Sequence, residues 1–201
     1  MNSARFFAAA LGMSALAACA TAPGPVEVTR FHDAAALDRI GQGTVFVESA
    51  PGNDASGLEL APYKAAVARE LAALGYTESS REDASQLARV EVERFVVREG
   101  GGRGPVSVGV GGSTGGYRSG VGLGIGFNLG GGPKEVIGTR LAVTIRDKES
   151  GSSLWEGRAN FKVSEKSGLA PTQANAQTVA SALFREFPGG NGETVEVGVT
   201  E

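Results

Sequence analysis

One cysteine, one histidine and one tryptophan stand in 201 residues. A lone cysteine excludes an intramolecular disulfide, so no stapled scaffold is expected. A lone histidine, His32, confines any Ser-His-Asp or Cys-His arrangement to that residue, and His32 with Cys19 falls short of the usual His/Cys zinc set. No cofactor, metal or catalytic residue is therefore expected, and the chain reads as a non-enzyme. His32 is expected at the surface, ending a strand; a hydrolase would have to use it. Carboxylates are plentiful, but no D-x-D-x-D-G spacing occurs, and Glu91 with Glu93 reads as the wet side of a strand. A basic excess is missing too: 19 Lys+Arg stand against 22 Asp+Glu, a formal charge of -3, which leaves no counterion-releasing surface and excludes nucleic acid as a partner. The phosphate-loop pattern G-x-x-x-x-G-K-[ST] is absent.

What is in surplus is glycine, 31 residues, of which 16 fall between Gly100 and Gly132. No G-X-Y period accompanies them, so collagen is excluded, and 41% hydrophobic residues with little net charge argue against wholesale disorder. A chain of this length has room for one domain with a full core.

The N-terminus carries Arg5 and then an uncharged apolar run of 12 residues, Phe6 to Ala17. A bilayer span takes about 20 helical residues, whereas the hydrophobic region of a signal peptide takes 7–15. The run closes on Leu16-Ala17-Ala18-Cys19, which resembles the bacterial lipobox. That resemblance implies cleavage before Cys19 and lipidation of its thiol, palmitate among the acyl chains. Ala20, in place of the Asp that retains lipoproteins at the inner membrane, implies an outer-membrane, periplasm-facing location. Residues 1–18 are then a signal peptide and 19–25 a lipidated tether with two prolines. Several acyl chains hold a protein firmly where one holds it weakly.

From Val26 the mature chain alternates. Val26 to Phe31 and Thr44 to Glu48 read as strands, the second apolar enough for burial on both faces. Leu60, Tyr63, Val67, Leu71 and Leu74 share one helix face, with Pro62 in the first turn and Gly75 as the terminator. Glu78 to Asp83 reads as a loop. Leu87 to Val97, Val136 to Arg146 and Ser153 to Val163 are strands, the last two joined by the turn Asp147 to Gly151, with Trp155 as a core or edge anchor. A second helix is expected from Thr172 to Phe187, stopped by Pro188-Gly189-Gly190. The order β-β-α-β-[Gly-rich hairpin]-β-β-α predicts an α+β two-layer sandwich, a mostly antiparallel sheet with two helices on one face. The domain spans 26–189, the glycine-rich insertion 100–132, and 190–201 is a C-terminal tail.

Within the insertion, Val106, Val108 and Val110 alternate with Ser and Gly, and so do Val121, Leu123, Ile125, Phe127 and Leu129 with Gly and Asn. Period two predicts two strands around a loop from Gly112 to Gly120. Four readings stay open: a poorly ordered insertion, a hairpin extending the sheet, an arm that touches membrane or pairs with itself, and a phosphate-cradling loop, for which no G-x-G-x-x-G register exists. Its net charge is +2, from Arg103 and Arg118, while the rest of the mature chain carries -6.

Together TVFVESA, ELAALGY, ARVEVERFVV, IGTRLAVTIRDKESGSSLWEGRANF and LFREFPG resemble domain-of-unknown-function family 4136, small bacterial envelope lipoproteins, over Val26 to Gly189. The most specific part is the hairpin Gly138-Thr139, Asp147 and Leu154-Trp155-Glu156-Gly157; Asp83 is a looser match to the family's acidic residue after the first helix. The resemblance implies a membrane-tethered α+β domain and carries no catalytic residues. The expected function is that of a non-enzymatic envelope lipoprotein, a structural or interaction module in the periplasm. Its partners are the membrane through Cys19, and envelope proteins or a second copy through the glycine-rich segment. The alternative is an accessory of an envelope transport system that binds a lipid or other apolar ligand between sheet and helices.

Overall fold

The computed structural model describes residues 23–52, 57–99, 106–111, 122–127 and 134–201. The expected signal segment, Cys19 and the Gly112 to Gly120 loop lie outside them. The chain forms β1 (Val26–His32), β2 (Thr44–Ser49), α1 (Gly57–Ala73), β3 (Thr77–Glu78), β4 (Gln86–Glu99), β5 (Val106–Gly111), β6 (Gly122–Phe127), β7 (Lys134–Asp147), β8 (Ser153–Ser164), α2 (Thr172–Phe184) and β9 (Thr194–Val197). Among the described residues, seven strands make one sheet in the order β3-β2-β4-β7-β8-β1-β9, while β5 and β6 pair only with each other. The main sheet is parallel where β2 meets β3 and β4, and antiparallel elsewhere. It is the expected α+β architecture: α1 lies against β2 and β4, α2 against β8 and β1, and the helices pack on each other.

Alternation decides which face is which. Val90 and Val92 of β4, Leu141, Val143 and Ile145 of β7, and Trp155, Ala159 and Phe161 of β8 are buried beneath the helices. Their neighbours Glu91, Glu93, Arg140 and Arg158 stand on the open face. There, directly opposed residues form ion pairs: Glu93 with Arg140 at 2.8 Å, Arg98 with Glu135 at 2.9 Å, and Glu48 with Arg89 at 3.0 Å. Exposed pairs of this kind contribute about 0–1 kcal/mol each, so they favour register and keep the face wet more than they stabilise the fold.

Five expectations need correction. β2 is buried on one face only, through Val45 and Val47, because among the described residues no second layer covers Phe46. α1 starts at Gly57, which puts Pro62 in its second turn; the first turn is solvated, with Leu58 89% exposed, so the backbone bond that proline cannot make costs little there. α2 stops at Phe184, short of Phe187. The stretch Glu78 to Asp83 begins inside β3, a two-residue parallel pairing with β2. Finally, residues 190–201 contain β9, which pairs with β1 and buries Val197.

Arg30 explains the early end of α2. It continues the inward series Val26, Val28, Arg30, so its guanidinium is carried into the core. There Nε donates to the Leu183 carbonyl at 2.9 Å, and Nη2 donates to the carbonyls of Ala182 at 3.2 Å and Arg185 at 2.7 Å. These are carbonyls that a helix C-terminus leaves without intrahelical partners. Burial lowers the Arg30 pKa, with Glu186 pulling it back up; the group stays a cation. Arg185 then turns extended (ψ 132°) and Glu186 takes a positive φ of 56°. Phe187 folds back, and its ring centre lies 5.2 Å from that of Trp155.

Candidate functional site

Two adjoining depressions lie around the end of the sheet where β7 turns into β8. The first, about 320 Å³, is lined by Arg89, Glu91, Thr144, Arg146, Ser153 and Glu156 with two alanines. The second, about 340 Å³, shares Ser153 and Glu156 and adds His32, Asp33, Asn191 and the rims of Phe31, Leu154 and Trp155. Their walls mix both signs of charge with small residues, which suits a polar surface or peptide better than an apolar ligand. Much of the hydrogen-bonding capacity is already engaged. Arg89 is paired with Glu48, Arg146 Nε donates to the Gly151 carbonyl at 2.9 Å, and Ser153 Oγ donates to Glu156 Oε1 at 3.1 Å.

His32 ends β1, as expected, and is half-buried. Its backbone N–H donates to Asn191 Oδ1 at 3.2 Å, while Nδ1 is buried without a partner. Among the described residues, no hydrogen bond joins the imidazole to Ser153 or to a carboxylate, so no nucleophile, base and orienting acid are lined up. No cluster of three or more His, Cys, Asp and Glu side chains is assembled among those residues either. Glu91 and Glu93 stand exposed on the open face of the sheet. Trp155 is fully buried; its Nε1–H donates to the Pro188 carbonyl at 3.0 Å, and its indole stacks on Phe184 with ring centres 5.3 Å apart.

The hairpin residues singled out by sequence hold the structure together. Gly138 lies beneath Phe95, where a Cβ would come within 2.4 Å of the ring, and the Arg140 guanidinium sits 4.9 Å from the ring centre on the same open face. Asp147 accepts from the Ser150 backbone N–H and hydroxyl, both at 2.8 Å, and closes the β7–β8 turn. The Ser150 backbone bond, then its hydroxyl, hold the Asp147 carboxyl below the ordinary carboxylate range. Asp83 accepts from Ser80 Oγ at 2.8 Å in the turn before β4.

Sequence reasoning missed the buried polar residues. Tyr63 donates to Asn175 Oδ1 at 2.8 Å between the two helices, and burial raises the phenol's pKa. Gln86 accepts from the Tyr76 hydroxyl at 3.2 Å and donates to the carbonyls of Arg39 at 2.9 Å and Gln42 at 3.2 Å, tying the β1–β2 connection to β4. Arg94 donates to Thr172 Oγ1 at 2.6 Å and the Ala170 carbonyl at 2.8 Å, holding the start of α2. The one available signal was a polar residue at an inward position of an alternating strand, as at Arg30.

No helix among the described residues is long and apolar enough to cross a membrane. No curated protein matches the chain. Among solved structures, a PDZ domain protein from Parabacteroides distasonis is 13% identical with a TM-score of 0.47; the match covers 87% of this chain but only 39% of that one. PelC from Paraburkholderia phytofirmans, solved as a dodecamer, is 14% identical with a TM-score of 0.38, over 79% of this chain and 96% of PelC. Likeness at this level assigns no function. A family model, by contrast, matches residues 39–189, and the chain belongs to that family, the domain of unknown function DUF4136.

Proposed function

We propose that the chain is a non-enzymatic lipoprotein of the bacterial envelope. Acyl chains on Cys19 hold it in the outer membrane, and its α+β domain works in the periplasm as a structural or interaction module. The observation that carries this is the position of the only cysteine: Cys19 closes LAAC and stands seven residues ahead of Val26, where β1 begins. The non-enzymatic part draws support from the occupation of the motif residues. Gly138, Asp147, Trp155 and Gly157 are spent on packing and on a turn. The open face of the sheet, wide and lined with charge, is the surface offered to a partner. The alternative of an apolar ligand between sheet and helices meets a filled layer: Trp155, Tyr63 and Phe161 are each under 2% exposed there.

The test is the full chain beside Cys19→Ala, expressed in a bacterium with an outer membrane. The parent is expected in the outer-membrane fraction, with an N-terminal fragment that carries the mass of the acyl groups. Cys19→Ala is expected unacylated and in the soluble fraction. A variant still acylated and membrane-bound would refute the assignment.

A further inference from the structure

The row Glu93, Arg140, Asn160 and Glu27 crosses four strands in register. Beyond it β4 runs six residues further, to Glu99, and β7 extends six residues back to Lys134, the two strands paired to the last residue. At about 3.3 Å per residue, this ribbon projects about 20 Å past the row, accompanied by β8 as far as the Val136–Ser164 pair. β1 starts at the same end of the sheet, one residue beyond the row, at Val26. The seven-residue step from Cys19 to Val26 spans at most about 25 Å when fully extended. A lipid on Cys19 therefore holds the bilayer surface within the reach of a ribbon that already covers most of that distance, and the insertion is carried on the ribbon's end.

The insertion's own strands suit that place. β5 and β6 pair Val106 with Phe127, Val108 with Ile125 and Val110 with Leu123, alternating with Ser107–Gly126 and Gly109–Gly124. In register, apolar pairs therefore alternate with nearly bare ones. The segment's charge of +2, from Arg103 and Arg118, suits an anionic lipid surface, and the lipid tether at the same end of the sheet brings that surface to it.

We infer that the end of the sheet where β1 begins is turned to the bilayer, and that the β5–β6 hairpin touches lipid there. This rests on the anchoring at Cys19 proposed above. The opposite end, with the Asp147 to Gly151 turn, His32 and the two depressions, then faces away from the membrane, toward the periplasm.

The experiment uses the acylated full chain, in which the Cys19 thiol is blocked, with one new thiol at Val110→Cys or at Glu149→Cys in the far turn. Each carries an environment-sensitive dye and is reconstituted in phosphatidylethanolamine–phosphatidylglycerol vesicles containing nitroxide-labelled lipid. The Val110 dye is expected to shift to the blue and lose most of its emission to the nitroxide; the Glu149 dye is expected to stay unquenched. An unquenched Val110 dye, or equal quenching at both positions, overturns the inference. Acylation is read separately, from the mass of the N-terminal fragment, so an unlipidated Cys19 refutes the anchor and not the hairpin contact. In that event the same labels in Cys19→Ala decide: quenching confined to Val110 supports lipid contact, and its absence overturns it.

Discussion

The indole of Trp155 rests on Gly157. The two residues are neighbours on the inward face of β8, and the ring leans along the strand so closely that a Cβ at Gly157 would lie 2.2 Å from Trp155 Cη2 and 2.8 Å from Leu183 Cδ1. Real Cβ atoms do not approach so near. The Leu-Trp-x-Gly stretch is therefore a packing device: the glycine leaves room for the tryptophan to lie flat, and α2 then settles onto it through Leu183 and Phe184. Gly157→Ala is expected to destabilise the domain by about 3 kcal/mol, since the obstructing groups are a rigid ring and a packed leucine. Gly168→Ala, where a Cβ meets nothing within 4 Å, is expected to change stability by no more than about 0.5 kcal/mol. Denaturant unfolding followed by Trp155 emission checks both, and near-equal stabilities would contradict the packing described.

Arg30 joins the start of the chain to the end of α2. Arg30→Met keeps the side chain's length but leaves the carbonyls of Ala182, Leu183 and Arg185 without their donor. A loss of about 3 kcal/mol is expected. Faster hydrogen exchange is expected at the last turn of α2, while β4 and β7 exchange at rates set by global stability. A variant as stable as the parent would show that these carbonyls find water instead.

Glu48 accepts from Arg81 at 2.9 Å and Arg89 at 3.0 Å. Burial pushes its pKa up, but the two guanidinium hydrogen bonds and charges outweigh that and leave it below the ordinary carboxylate range. A carboxyl whose native pKa is depressed adds stability that is fully present above its unfolded value, about 4.3, and is lost as pH falls through the lower native value. Glu48→Gln is therefore expected to lower stability near pH 7 by no more than about 1 kcal/mol, solvent screening holding the effect down. Below the native pKa, parent and variant should converge. A difference independent of pH would assign the effect to packing.

By itself the sequence determined most of the long elements and the side most of them bury, because period two in ARVEVE and the 3-4 spacing from Leu60 to Leu74 record the contrast between a wet and a dry face. It also determined the α+β class, the bounds of the glycine-rich segment, and the residues by which the family is recognised. Tertiary structure decided what short segments and single polar residues do. β9 has four residues and β3 two, too few to carry a period, and they are strands only because an edge of β1 and an edge of β2 stand free to pair. α2 ends where Arg30, 155 residues away from Arg185, captures its carbonyls. Gly157 is indispensable because of the ring that lies on it, and the tether and the insertion leave the same end of the sheet because β1, β8, β7 and β4 pair antiparallel in succession. Such relations join residues far apart in the chain through packing and pairing, and local composition carries no record of them.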